Sequence, residues 1–111
     1  MSKKQVSFGE AVVALKEGKR VQRSGWNGKG LFIFMQVASN IDVATVVPKM
    51  QSLPQSVKDE FARRQAENEN STDHFSIRYR NQLAMVYPDN MIFGWVASPS
   101  DVLENDWIIL D

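Results

Sequence analysis

The chain has 111 residues, 13 Lys plus Arg against 13 Asp plus Glu, a formal charge of zero and 43% hydrophobic residues, the profile of one small soluble domain. A neutral balance excludes a general polyanion binder, because sequence-independent affinity for nucleic acid comes from Lys and Arg displacing counterions from phosphate. The absence of cysteine excludes disulfide scaffolds, thiolate zinc sites and thiol nucleophiles together.

The opening Met1-Ser-Lys-Lys-Gln has no apolar stretch behind it, and the longest apolar run, Leu31 to Met35, is far too short to cross a bilayer. Neither secretion nor membrane insertion is signalled. Ser7-Phe8-Gly9-Glu10 predicts a helix start, since Ser followed three residues later by Glu can satisfy two orphan amides. Phe8, Val12 and Leu15 then mark one apolar face, and Gly18 is placed as a left-handed C-cap. Val21-Gln22-Arg23 reads as a short strand, and the three glycines of Ser24-Gly25-Trp26-Asn27-Gly28-Lys29-Gly30 dictate a turn. Leu31 to Val37 is a strand apolar on both faces, which asks for a helix on one side and a second subunit on the other. Self-association also follows from size, as so short a chain buries only roughly 60–65% of its unfolded surface.

Ile41, Val43, Val46 and Val47 supply an edge strand before Pro48. Ser52-Leu53-Pro54-Gln55 repeats the capping logic, with Pro54 in the first turn, and Leu53, Val57 and Phe61 continue a second amphipathic helix to about Gln65. Ala66 to Asp73 is a polar loop. His74 to Arg80 alternates, with Phe75, Ile77 and Tyr79 on the buried face, and the strands Leu83–Tyr87 and Met91–Val96 join it in an antiparallel meander turned at Pro88-Asp89-Asn90. Ser98-Pro99-Ser100-Asp101 starts a short helical turn, and Trp107 to Leu110 is a last strand. The predicted fold class is α+β, a small mostly antiparallel sheet with an N-terminal helix, a second amphipathic helix and a short C-terminal helical turn, in a single domain spanning 1–111.

No catalytic constellation stands out. His74 is the sole histidine, no Gly-x-Ser-x-Gly elbow occurs, and Asp101 reads as a cap while Glu104, Asp106 and Asp111 read as a solvated acidic face. One histidine with scattered acids does not make a metal site, so no metal or cofactor is expected. The glycine loop is not a Walker A loop, because Gly30 follows Lys29, and it is not a dinucleotide fingerprint, because a strand follows it. The aromatic inventory points to a ligand. Trp26, Phe32, Phe34, Tyr79, Phe93, Trp95 and Trp107 offer stacking platforms or core, while Arg23, Arg78 and Arg80 offer forked donors to phosphate, and Asn27, Ser98 and Asp101 offer groups for sugar hydroxyls. Trp26, held between Gly25 and Asn27-Gly28, is expected to face a ligand or a neighbouring subunit rather than its own core.

Phe8-Gly9-Glu10-Ala11, Leu15-Lys16-x-Gly18-Lys19, Arg23-x-Gly25-Trp26-Asn27-Gly28-Lys29-Gly30 and Trp95-x-Ala97-Ser98-x-x-Asp101-Val102-Leu103-x-x-Asp106-Trp107 resemble the small phage and prophage family that includes Thoeris anti-defence protein 2. The resemblance implies a homo-oligomer, a tetramer built as a dimer of dimers. It would work in the cytoplasm of an infected or lysogenic bacterium, where it binds a small cyclic nucleotide immune signal and withholds it from the defence effector without cleaving it. The implied ligands are glycocyclic ADP-ribose from TIR enzymes and cyclic oligonucleotides from cGAS-like enzymes. Trp26, Asn27, Gly28, Trp95, Ser98 and Asp101 match the motifs and are the main ligand-binding candidates, with Arg23 and Phe32 behind them. The sequence departs from the family in an extended region with a helical insertion at about 48–73, and in Asp89-Asn90 where Asp-Gly is common. Two other classes stay open on the residues alone, a small phosphodiesterase or lyase using His74 and a carboxylate, and a structural phage protein whose oligomer is its function.

Overall fold

A computed structural model of the chain describes residues 4–26 and 29–110. Three helices, α1 (Phe8–Lys16), α2 (Gln55–Glu67) and α3 (Pro99–Leu103), accompany seven strands, β1 (Val21–Arg23), β2 (Phe32–Gln36), β3 (Ser39–Asp42), β4 (Ser76–Tyr79), β5 (Gln82–Val86), β6 (Ile92–Gly94) and β7 (Trp107–Ile109). The fold is α+β, as predicted. Contacts divide it into two compact units, Met1–Gln36 with Asn81–Asp111, and Val37–Arg80. The helical segment expected near 48–73 falls inside the second.

The first unit is a five-stranded sheet in the order β6-β5-β2-β1-β7, with every neighbouring pair antiparallel. Ile33 and Met35 of β2 and Leu83 and Met85 of β5 pack with α1 and with Val21 and Trp107 in one apolar core, so the α1 side of the sheet is set by strand alternation. The helix turns Ala11, Ala14 and Leu15 fully inward. Two alanines in that stripe let the helix backbone lie close to the strands, whereas the sequence pattern gave most weight to Phe8, Val12 and Leu15. Ser7 Oγ accepts from the Glu10 amide at 3.1 Å, but the Glu10 carboxylate meets the Ser7 hydroxyl at 3.4 Å, so only half of the expected reciprocal cap forms. Gly18 ends the turn at φ 88°, the left-handed conformation that suits glycine.

Gly30 follows the same logic at the other turn. Its φ is 75°, and a Cβ there would sit 3.2 Å from Pro88 Cγ, so both backbone conformation and close approach favour glycine. The Pro88-Asp89-Asn90 turn between β5 and β6 also forms, with Asn90 at φ 68° and its amide donating to the Tyr87 carbonyl at 2.8 Å. Val6 exchanges both backbone hydrogen bonds with Trp107, at 2.8 and 3.1 Å, and so adds a one-residue bridge outside β7.

The meander is corrected. β4 pairs with β3 from Ser39↔Tyr79 to Asp42↔Ser76, not with β5, because β5 is already flanked by β2 and β6 and has no free edge to offer. In this second unit Val43, Val47 and Ile77 form a small core, with Ile41, Met50, Leu53 and Phe61 packed against it. The edge strand expected through Val47 stops at Asp42, whose carboxylate takes the Thr45 amide at 2.8 Å and hydroxyl at 2.7 Å and turns the chain away. Val47 is buried from a 3-10 turn instead. Of the predicted buried face of β4 only Ile77 is buried, while Phe75 and Tyr79 are exposed.

α2 starts with Pro54 as its N-cap and no side-chain cap, so the Ser52 capping box does not form. The helix continues past Gln65 to Glu67, and Thr72–His74 makes a 3-10 turn within the expected polar loop. Its exposed side carries Glu60, Arg63, Arg64 and Glu67 in i,i+3 and i,i+4 ion pairs, which pull the Glu60 carboxyl down to about 2, chiefly through Arg63 and then Arg64. Exposed pairs of this kind add little stability, and no residue of α2 is fully buried.

The first unit's core sets stability most directly through Leu15, which is 1% exposed. Leu15→Ala is expected to cost about 2–5 kcal/mol, read as a lower urea midpoint with an unchanged slope, and a cost below about 1 kcal/mol would show that α1 is not held by this core.

Candidate functional site

The candidate residues of the first unit gather around one buried indole. Trp107 is fully buried, and its Nε1–H donates to the Asp101 carbonyl at 2.7 Å. Three aromatic rings surround it, Phe8 at 5.3 Å, Trp26 at 5.7 Å and Trp95 at 6.0 Å between centroids, the two tryptophans edge-on at 81° and 80°. Such tilted and edge-to-face contacts suit the ring quadrupoles. Trp26 therefore does find partners in its own core, contrary to the expectation from its loop, while remaining only partly buried, as does Trp95. Each indole packs against Trp107 and keeps part of its surface open.

Beside this cluster lies a three-residue charge clamp. Arg23 Nε donates to Asp106 Oδ1 at 3.0 Å and Nη2 to Asp106 Oδ2 at 3.2 Å, while Nη1 reaches Asp101 Oδ1 at 3.0 Å. The two-point contact with Asp106 matches the planar fork of guanidinium to carboxylate. The side chains of Arg23 and Asp101 are only 19% and 14% exposed, so the pair is shielded from full solvent screening. Hydrogen bonding to the Asp106 carboxylate leads the influences that raise the Arg23 pKa, against burial and with help from Asp101. Burial alone would push the Asp101 carboxyl up, but the Ser98 amide and hydroxyl and the Arg23 guanidinium outweigh it, and the group lies below its ordinary value.

Ser98 and Asp101 form the reciprocal capping box of α3, with Asp101 Oδ2 accepting from the Ser98 amide and hydroxyl, each at 2.8 Å, and Ser98 Oγ accepting from the Asp101 amide at 3.2 Å. Asp101 thus has both oxygens engaged, one toward Arg23 and one toward Ser98. Three N–H groups of the Arg23 fork are committed to the acids, which leaves two of its five outside these bonds. Ser24, next in the chain, donates its amide to the Asp106 carbonyl at 2.8 Å, fixing the start of the glycine turn to the approach of β7.

The structure therefore brings together Arg23, Trp26, Trp95, Ser98 and Asp101. Phe32 sits apart: it alternates with the core residue Ile33 on β2, so it points to the other sheet face, where the Arg20 guanidinium lies 5.2 Å from its ring centre. Asn27 and Gly28 lie outside the described residues. Arg78 and Arg80 belong to the second unit. Two contributors went unrecognised in the sequence. Asp106, read there as solvated surface, holds Arg23, and Phe8, read only as helix stripe, stacks against Trp95 and Trp107. No local signal marked Asp106, since the neighbour of a buried residue in a strand approach ordinarily faces solvent. Among the described residues no group of three His, Cys, Asp or Glu side chains is arranged to hold a metal ion, and no helix is long and apolar enough to cross a membrane.

Comparison with known proteins gives a family match. A family model described as a Tad2-like, Thoeris anti-defense 2-like domain matches residues 6–110. The chain is also similar to the protein named Thoeris anti-defense 2 from Bacillus phage SP01, 32% identical over 108 residues that cover 97% of this chain and 98% of that one.

The clamp has a pH signature. With its folded pKa depressed, the Asp101 carboxyl contributes stability that is complete above the unfolded value of about 4 and is lost as pH falls through the lower folded value. Asp101→Asn is expected to cost about 2 kcal/mol at neutral pH, where it weakens a charged hydrogen-bond network, and progressively less toward acid. Urea unfolding of both proteins across that range tests this, and a constant difference down to about pH 2.5 would remove Asp101 from the linkage.

Proposed function

Because the chain belongs to the Tad2-like, Thoeris anti-defense 2-like family, we propose that it serves phage anti-defence as a sponge, binding a cyclic nucleotide immune signal and holding it intact. The proposed signals are glycocyclic ADP-ribose from TIR enzymes and cyclic oligonucleotides from cGAS-like enzymes, and their sequestration would blunt Thoeris- and CBASS-type defence in the cytoplasm of the bacterial host. The observation that carries this reading is the placement of two half-buried tryptophans, Trp26 and Trp95, against a fully buried third beside a fixed guanidinium.

Each part of the arrangement has a use in that task. A partly exposed indole braced from behind offers a base a rigid face, and stacking is worth about 1–3 kcal/mol per base. Arg23, oriented by two carboxylates, can direct its two uncommitted N–H groups at a diphosphate without first losing rotamer freedom. The zero net charge fits a ligand held by a few placed donors rather than by a diffuse positive field. Asp101 supports this site mainly by fixing Arg23 and capping α3, which refines its expected role as a ribose-hydroxyl acceptor. Binding without turnover consumes one site per signal molecule, so the protein must outcompete the effector by affinity and abundance.

A homo-oligomer, proposed as a tetramer, fits the exposed apolar residues of the first unit. Among the described residues β6 pairs only with β5, and Ile92 and Phe93 on it are exposed, as are Val96 just after it at 90% and Leu103 of α3 at 76%. An edge strand with apolar side chains is a template for association unless something covers it. Ile92→Lys is expected to lower the mass seen by light scattering while leaving the far-ultraviolet dichroism unchanged, and an unaltered mass would place the interface elsewhere.

The ligand reading is tested by titration calorimetry with glycocyclic ADP-ribose and a panel of cyclic dinucleotides. Trp26→Ala is expected to weaken binding at least about tenfold, the loss of one stacked base, and heat denaturation of the complex is expected to release unchanged ligand. Linear product after heating would make the protein an enzyme, and full affinity in the variant would remove Trp26 from the site.

A further inference from the structure

The second unit contains a cavity of about 470 Å³ lined only by its own residues. We propose that it is a separate binding site for a small amphipathic anion, a flat apolar body carrying one phosphate or carboxylate. This proposal is independent of the anti-defence reading, because it uses none of the residues around Trp107.

The cavity has a divided lining. Its floor is apolar, built by Val57 and Phe61 of α2 with Ile77 of β4. This explains how α2 keeps an apolar stripe with no fully buried residue: the stripe borders the cavity. Two exposed cations, Arg64 from α2 and Arg78 from β4, also line it. Arg64 spends its Nε on Glu60 at 2.8 Å, which leaves its terminal nitrogens outside that bond. Arg78 has no side-chain hydrogen bond or ion pair among the described residues. Two guanidinium side chains lining one cavity favour an anionic group there, and the fork geometry suits phosphate or carboxylate.

His74 supplies the second, independent observation. Its Nδ1 is buried and has no hydrogen-bond partner among the described residues, while the residue lines the cavity. Buried polar atoms are nearly always satisfied and an unpaired one is costly, so a bound group that draws the imidazole toward it and supplies a partner is favoured there. Asp73, which also lines the cavity, opposes a multiply charged ligand and so favours one anionic group over several. The volume, that of roughly fifteen liquid waters, has ample room for a bicyclic aromatic acid or phosphate monoester and lies within the range of ordinary small-molecule pockets.

His74 is the sole histidine, so its ring protons give a single reporter for the site. The full chain is titrated at fixed pH with 1-naphthyl phosphate, 1-naphthoate and inorganic phosphate, followed by proton NMR. A saturable shift of the His74 ring signals with one or both aryl anions is expected, and the stronger of the two identifies the preferred head group. Arg78→Gln is expected to weaken that binding at least about fivefold, as loss of a charge-assisted hydrogen bond would. Arg64→Gln, on α2, gives a second reading of the same effect. No shift with either aryl anion, an equal shift with inorganic phosphate, or affinities unchanged in both variants would overturn the proposal.

Discussion

The hydrogen bond from the Trp107 indole to the Asp101 carbonyl is the joint on which the first unit turns. It ties a fully buried ring to the last turn of chain before β7, and Arg23, Trp26, Trp95, Ser98 and Asp101 are arranged about it. The ring fills the core under Phe8, Trp26 and Trp95, while its backbone takes both hydrogen bonds of Val6. On the same stretch, Asp101 and Asp106 seize Arg23 from β1. Packing and electrostatics thus lock the same two segments, residues 78 and 83 positions apart in sequence.

The neutral net charge acquires a local meaning from that clamp. Arg23 comes early in the chain and Asp101 and Asp106 late, and the fold pairs them internally. A guanidinium so held is a poor general attractor of polyanions and a good directional donor. Burying a charge pair is a weak route to stability compared with apolar packing, so its presence beside two open tryptophans fits a positioning role better than a scaffold role.

Elements governed by local chemistry were legible in the sequence. Ser7, Gly18, the Pro88-Asp89-Asn90 turn and the Ser98-Asp101 box act over a few residues, and each appears as read, apart from the missing half of the Ser7 cap. What depended on distant partners was not. Alternation marks β4 as a strand, but choosing β3 over β5 as its neighbour is decided by which edges remain free. The Ser52 box failed because Pro54 took the cap position in an extended conformation. In the site, the aromatic residues and Arg23 could be named from type and spacing. That Asp106 would face inward could not, since its partner lies on the far side of the sequence. Phe32 lies apart from the Trp107 cluster, and proximity to the glycine loop in sequence does not say which face of β2 a side chain takes.

The sheet order has a consequence for how the molecule comes into being. β1 and β2, neighbours of one another, are made early, yet β2's other partner β5 and β1's other partner β7 are made only after the whole Val37–Arg80 unit. That unit pairs its two strands and packs its small core from its own residues, so during vectorial synthesis it can organise first, while the earlier strands wait with bare edges. Long-range antiparallel closure of this kind is slow relative to local structure, and unpaired apolar strands are the species most exposed to misassociation. Ribosomes translating one message side by side would hold several such half-made sheets at once, which makes the interval before Trp107 emerges the most vulnerable moment in the life of the chain.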